Sequence, residues 1–276
     1  MLVIVAAGRR MAAIHDDKNS QEYIVKRFAI AALLASILPG LAAAEDLAKI
    51  KSAGVIRVGT EGTYAPFTYH DASGKLVGFD VEIAQAVAAK LGVKAEFIEG
   101  KWDGLIAGLD ANRYDAVANE VSITEARKAK YDFSNAYIAS KAALIVNGNS
   151  PIKTFADLKG KKSANTLTSN FGKLAQSFGA EVVPVQGFND SLELLASGRV
   201  DATINDSLSF LDYKKHQPNS KLRIAATKKD ADFSGIIFRK GNPQLQAAIN
   251  KALADIKADG SYQKISFKYF GEDVSH

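Results

Sequence analysis

Five stretches of this sequence carry residues able to grip a small charged molecule. Thr60-Glu-Gly-Thr-Tyr64-Ala-Pro-Phe67 joins a carboxylate, Glu61, to aromatic surface. Lys101-Trp102-Asp103 holds the chain's one tryptophan. Asn119-Glu120-Val121-Ser122 leads to Arg127, Thr168-Ser169-Asn170 opens an apolar-periodic run, and Asn205-Asp206 opens another. An arginine offers a planar two-point fork to a carboxylate. Free N–H groups at helix starts attract anions. Carboxylates take an ammonium, and aromatic rings cover apolar parts. The set suits a small zwitterion.

Other chemistry is poorly supported. The absence of cysteine excludes disulfides, zinc–thiolate sites, iron–sulfur clusters and thiol catalysis. His15, His70, His216 and His276 share no metal-ligand spacing. There is no G-x-S-x-G elbow, no H-E-x-x-H and no Walker lysine loop. Gly59-Thr-Glu-Gly62 follows a strand pattern without a full dinucleotide fingerprint. No cofactor and no metal are expected. With 47% hydrophobic and 24% charged residues the composition is that of a soluble globular protein. The formal net charge is +5, but five basic and three acidic residues lie in 1–44, so the rest carries +3. Basic residues are interspersed with acidic ones, which argues against nucleic-acid binding.

Residues 1–44 read as an N-terminal extension and a cleaved signal peptide. Lys26-Arg27 precede an apolar run, Phe28 to Leu38, then Pro39-Gly40 and Leu41-Ala42-Ala43-Ala44. That order matches a charged region, an apolar region and a small-residue cleavage site, with Glu45 as first mature residue. The run is about half of the roughly 20 residues a membrane-spanning helix needs. Residues 1–24 fit neither signal nor domain, which points to a translation start near Val25. Without a cysteine to lipidate, the expected location is the periplasm.

The elements that must position these stretches alternate. Strands are predicted at Val55–Val58, Lys94–Ile98, Asp115–Ala118, Ala142–Val146, Lys162–Asn165, Val182–Val185, Val200–Ile204, Leu222–Ala226 and Gly235–Arg239. Helices are predicted over 80–91, 104–111, 155–159, 170–178, 190–196 and 207–216, and from Asn242-Pro243 to about Ala258. Ser122-Ile-Thr-Glu125 has the pattern of a capping box opening one more. Such alternation implies an α/β fold with parallel sheets flanked by helices. In open parallel sheets ligands sit beyond the carboxyl ends of the strands, which is where the five stretches fall.

Several motifs carry a family resemblance. Gly59-Thr-x-x-x-Tyr-Ala-Pro-Phe67, Gly78-Phe-Asp-Val-Glu82, Lys101-Trp-Asp-Gly104, Ser122-Ile-Thr-x-x-Arg127 and Tyr131-Asp-Phe-Ser134 resemble the periplasmic polar-amino-acid-binding proteins of ABC importers. Asp157-Leu-Lys-Gly-Lys161, Gly198-Arg-x-Asp-Ala202 and Asp259-Gly-x-Tyr262 extend the match, which covers residues 48–273. Trp102 and the Gly-Thr-Glu-Gly-Thr-Tyr opening look most like the cystine-binding branch.

The resemblance implies a two-lobed fold with the ligand in the interlobe cleft. Lobe 1 would be 45–138 plus 234–276, lobe 2 would be 139–233, and the hinge would lie near Ile138–Lys141 and Asp230–Ser234. It further implies a monomeric receptor that delivers an amino acid to an inner-membrane permease. Arg127 would hold the ligand α-carboxylate, with Ser122 donating from a helix start. Asp206 would take the α-ammonium, with Asn119 or Val121 adding an acceptor. Ser169 and Asn170 would donate from lobe 2, where Leu-Thr-Ser-Asn-Phe departs from the family's Gly-Thr-Thr-type turn. Tyr64 and Trp102 would stack on the ligand, and Phe67 would be core. Glu61 and Glu120 would meet a second cation on the ligand. The competing reading is a dehydratase-like enzyme of the same fold, with Glu61 or Glu120 as general acid.

Overall fold

Two five-stranded sheets carry the computed structural model, which describes residues 45–275. The signal peptide and extension read in 1–44, and His276, lie outside the described residues. The first sheet is ordered Lys94–Glu99, Val55–Thr60, Ala116–Val117, Ile237–Arg239, Tyr131–Phe133. The second is ordered Glu181–Pro184, Lys162–Asn165, Ala202–Asp206, Ala142–Asn147, Leu222–Thr227. Around each sheet sits one lobe of an α/β fold.

Neither sheet is wholly parallel. Ile237–Arg239 runs antiparallel to both neighbours, and so does Ala142–Asn147. The remaining strands of each sheet point one way. Connectivity is the cause. A chain returns parallel only through a crossover long enough to travel back, usually a helix. The two reversed strands follow directly on the crossings between lobes. Ile138–Ser140 leads into Ala142–Asn147, and Asp232–Ser234 leads into Ile237–Arg239. These crossings pair with each other, Ser140 opposite Asp232 and Ile138 opposite Ser234.

Helix positions follow the apolar periodicity with small offsets. Phe79–Lys90 buries Phe79, Ile83, Val87 and Ala88, with Asp80 and Glu82 in its first turn and Lys90 in its last, as the helix dipole favours. Ser207–His216 has the predicted bounds. Pro243–Ala258 buries Leu245, Ile249, Ala252, Leu253 and Ile256, a stripe at helical spacing. Asn242 is at its N-cap, but its side-chain amide donates to the Arg239 carbonyl instead of capping. The single helix predicted over 104–111 is two short ones, Trp102–Leu105 and Ala107–Asp110.

The capping box read at Ser122 is also corrected. The helix is Glu125–Lys128, and its cap is Thr124, whose Oγ1 accepts from the Arg127 backbone N–H at 3.3 Å. Ser122 lies before it, bridged to Ser234 of the crossing strand. Pairing with an extended neighbour holds Ser122 extended, so the helix starts later than its sequence pattern suggests. Sequence patterning also passed over the helix Ser261–Phe270 and the small sheet Thr63–Tyr64, Thr68–His70, Leu76–Val77.

Asp80 ties this frame together. Its carboxyl is fully buried and accepts from the Tyr137 hydroxyl at 2.8 Å and from the Glu120 backbone N–H. Glu120 has φ of 50°, a conformation that side chains other than glycine's seldom adopt. The Asp80 contact holds it there. Replacing Asp80 with Ala strands both donors in the interior, at about 1–3 kcal/mol each. Urea unfolding of Asp80→Ala should therefore show stability lowered by about 2–5 kcal/mol; a change within 0.5 kcal/mol would mean Asp80 is not a keystone.

Candidate functional site

The carboxyl ends of both sheets open onto one cavity. Glu61, Tyr64, Trp102, Asn119 and Glu120 line it from the lobe of the first sheet, and Ser169 and Asn170 from the other. The strand-end rule therefore brings seven sequence-predicted residues together.

Asn119 is fully buried and its side chain is spent on positioning. Its Oδ1 accepts from the Glu61 backbone N–H at 2.8 Å, and its Nδ2 donates to Glu61 Oε2 at 2.6 Å. The Glu61 carboxyl is thereby aimed while burial pushes it up to about 7, against the Asn119 hydrogen bond and the charge of exposed Lys101. Tyr64 is buried, and its hydroxyl donates across the cleft to Asn205 Oδ1 at 2.7 Å. Trp102 lies with its ring 5.3 Å from the Arg127 guanidinium carbon, a cation–π arrangement. Its Nε1 is buried without a hydrogen-bond partner in the protein.

Arg127 sits on the short helix just past the cleft loop. Nη1 donates to the Ser122 carbonyl at 2.9 Å, and the guanidinium is in no ion pair among the described residues. Burial pushes it down to about 10, and the nearby negative charge of Glu120 opposes that shift. A guanidinium kept half-buried, aimed by one carbonyl and stacked on a tryptophan, retains N–H donors for an anion.

Asp206 closes the strand Ala202–Asp206. It caps Ser207–His216, with Oδ1 accepting from the Leu208 N–H at 2.8 Å and from the Ser209 N–H at 3.4 Å. It is also 1% exposed, and the Ser140 hydroxyl donates to Oδ2. Burial pushes the carboxyl up to about 6 despite these donors. Glu120 is raised further: burial leads, the Asp206 charge adds to it, and Arg127 pulls the other way. Arg127 and Asp206 thus act on the same carboxyl from opposite lobes.

Other expected site residues serve differently. Val121 is fully buried among Trp102, Leu105 and Ile237, and its carbonyl accepts from the Gly235 N–H. Ser122 Oγ accepts from Asn170 Nδ2 at 3.1 Å, a bond between lobes. Ser169 caps Asn170–Ser177, accepting from the Gly172 N–H at 3.0 Å. Sequence reasoning missed Asn165, Phe188 and Ser191, which also line the cavity. Asn165 ends the strand Lys162–Asn165, so the strand-end rule could have found it. Phe188 and Ser191 belong to the start of a helix, Phe188–Ala196, that the sequence placed two residues late.

More bonds hold the lobes together. Asp103 Oδ1 accepts from the Thr168 N–H at 2.9 Å and its hydroxyl at 2.8 Å, and Ser209 Oγ donates to the Ala65 carbonyl at 2.6 Å.

Comparison with known proteins agrees with this geometry. Residues 56–272 match the bacterial extracellular solute-binding proteins, family 3. The L-cystine-binding protein TcyA of Bacillus subtilis strain 168 is 48% identical over 230 residues, covering 83% of this chain and 85% of that protein. The L-cystine solute receptor of Neisseria gonorrhoeae, unliganded and open, is 47% identical with a TM-score of 0.57, over 84% of this chain and 99% of that one. An ancestral arginine-binding protein bound to arginine is less identical, 43%, yet superposes better, with a TM-score of 0.74 over 79% of this chain and 98% of that one. The better fit to a liganded protein accords with the bonds that draw the lobes together here. With its α/β lobes, its cleft and a match spanning most of its length, the chain belongs to the bacterial extracellular solute-binding proteins, family 3.

Proposed function

We propose that this protein is an extracytoplasmic receptor for an amino acid, with L-cystine favoured, and that it passes its ligand to an ABC-transporter permease. One observation carries the reading: an arginine in no ion pair among the described residues and a buried aspartate, themselves outside the cavity lining, act from opposite lobes on Glu120, which lines the cavity. In the proposed complex Arg127 holds the α-carboxylate through its planar fork. Asp206 takes the α-ammonium, which supplies the cation that a buried carboxylate needs. Tyr64 and Trp102 flank the side chain. Glu61 meets a second ammonium, which cystine has. The names of the cystine-binding relatives support that choice. A basic amino acid is the second reading, favoured by the two cavity carboxylates, Glu61 and Glu120.

Binding needs no reaction here. A ligand that touches both lobes binds the closed state better than the open one, and that difference drives closure. Residues 45–138 with 234–276 would move against 139–233 about the paired crossings. The protein would act as a monomer in the periplasm. Relatives bearing binding-protein names weigh against the dehydratase-like alternative.

Titration calorimetry of the twenty amino acids and L-cystine tests the reading directly; binding of none would refute it. Arg127→Lys keeps the charge but loses the fork, and should weaken the tightest ligand by roughly 10- to 100-fold. Asp206→Asn should weaken it at least as much. Equal affinity in either variant contradicts the assigned grip. Asp103→Ala removes a contact that forms only when the lobes meet. Stopped-flow fluorescence should show release about fivefold faster with an unchanged association rate; slowed association alone would contradict this role.

A further inference from the structure

The cleft contains more buried acid than holding an ordinary amino acid requires. Glu120 lines the cavity and is 4% exposed. Each element packed around it brings a group. Asp80 comes from Phe79–Lys90, Asp206 from the end of Ala202–Asp206, and Arg127 from Glu125–Lys128. Ser234 comes from the crossing strand, and the hydroxyls of Tyr64 and Tyr137 are neutral. Three carboxyls, Asp80, Glu120 and Asp206, therefore share one guanidinium, and Glu61 adds a fourth carboxyl to the cavity wall. A dipolar ligand without side-chain charge adds nothing net, so the closed cleft is left with uncompensated negative charge, which is costly away from water.

Hydrogen bonding decides which carboxyl gives way. Asp206 accepts from the Ser140 hydroxyl and the N–H groups of Leu208 and Ser209. Asp80 accepts from the Tyr137 hydroxyl and the Glu120 N–H. Glu120 accepts only from the Ser234 hydroxyl, at 2.8 Å. Donors stabilise the ionised form, and of these three Glu120 has the fewest; Glu61, elsewhere on the cavity wall, also accepts a single bond, from Asn119, so the Glu120→Gln variant below assigns the proton. Burial and the neighbouring acids raise it well above the usual carboxylate range.

We propose that Glu120 balances the charge of the cleft: it carries a proton when the bound amino acid has no net charge, as cystine has none, and gives it up when the ligand is a net cation. The inference rests on the amino-acid reading above and adds a rule of selectivity. When the cleft opens, Asp206 leaves with the second lobe, water reaches Glu120, and it ionises. Closing on a neutral ligand then takes up a proton from solvent. Affinity for a neutral ligand falls as pH rises, by up to about tenfold per pH unit for one proton. A cationic ligand supplies the positive charge itself, so its affinity stays flat. Rising pH shifts preference from neutral towards basic amino acids.

Calorimetry with L-cystine and L-arginine as probes, between about pH 5.5 and 7.5 and in buffers of different ionisation enthalpy, tests this below the ammonium range of both. The expected result is uptake approaching one proton with cystine, near none with arginine, and a cystine-to-arginine affinity ratio that falls about tenfold or more across the range. Glu120→Gln supplies the uncharged isostere. It should bind cystine with a flat pH profile, no more weakly than the parent at the upper end. Parallel profiles for the two probes overturn the proposal, as does zero proton uptake by the parent with cystine. So does a folded Glu120→Gln protein that no longer binds cystine. If only one probe binds, its own proton number decides. If no amino acid binds at any pH, the receptor reading has failed and takes this inference with it. Binding with matched pH profiles defeats this inference alone.

Discussion

A buried charge must find its counterpart, and in this protein the counterparts are divided between two bodies. Arg127 belongs to one lobe and Asp206 to the other, and neither neutralises the other directly. Each is part-satisfied by local groups, a carbonyl for the arginine and helix N–H groups for the aspartate. That partial satisfaction matters. It lowers the cost of holding each charge in the interior, while part of each group's hydrogen-bonding capacity stays unused by its local partners. Asn119 does the same for Glu61, fixing the carboxyl without supplying a cation.

The same economy explains the loop Asn119–Ser122. Its backbone is set from outside by Asp80, which holds Glu120 in a left-handed conformation, and by Ser234, which bridges Ser122. Both supports adjoin the crossings: Tyr137 binds Asp80 and precedes Ile138–Ser140, while Ser234 ends Asp232–Ser234. Groups that line the cavity are thus braced by residues that adjoin the crossings between lobes.

Much of this was legible in the sequence, and the failures have physical causes. Strand and helix positions followed from period-2 and period-3.6 patterning, because each element buries one face. Ser207–His216 and Lys162–Asn165 came out with their observed bounds. The reversed strands were not legible, since direction depends on how the chain crosses between lobes and leaves no mark in local patterning. Ser122 was misread as a cap because Ser-x-x-Glu is a real local signal, overridden by the bridge to Ser234, more than a hundred residues away. Strand ends located Glu61, Trp102 and Asn119, which line the cavity. They could not reveal that Asn119 would be consumed in positioning, or that Thr168 would meet Asp103, because those are pairings between distant segments.

The paired crossings have one more implication. Ile138–Ser140 and Asp232–Ser234 form an antiparallel ribbon, and the C-terminal segment adds to it, the Ala139 N–H donating to the Val274 carbonyl and the Tyr262 hydroxyl to the Tyr137 carbonyl. A ladder of backbone bonds resists stretching and sliding of one strand past the other, but it bends and twists freely across its width. The two passages of the chain between the lobes are therefore one hydrogen-bonded unit, fastened from the side by the chain's C-terminal stretch, in place of two independent threads.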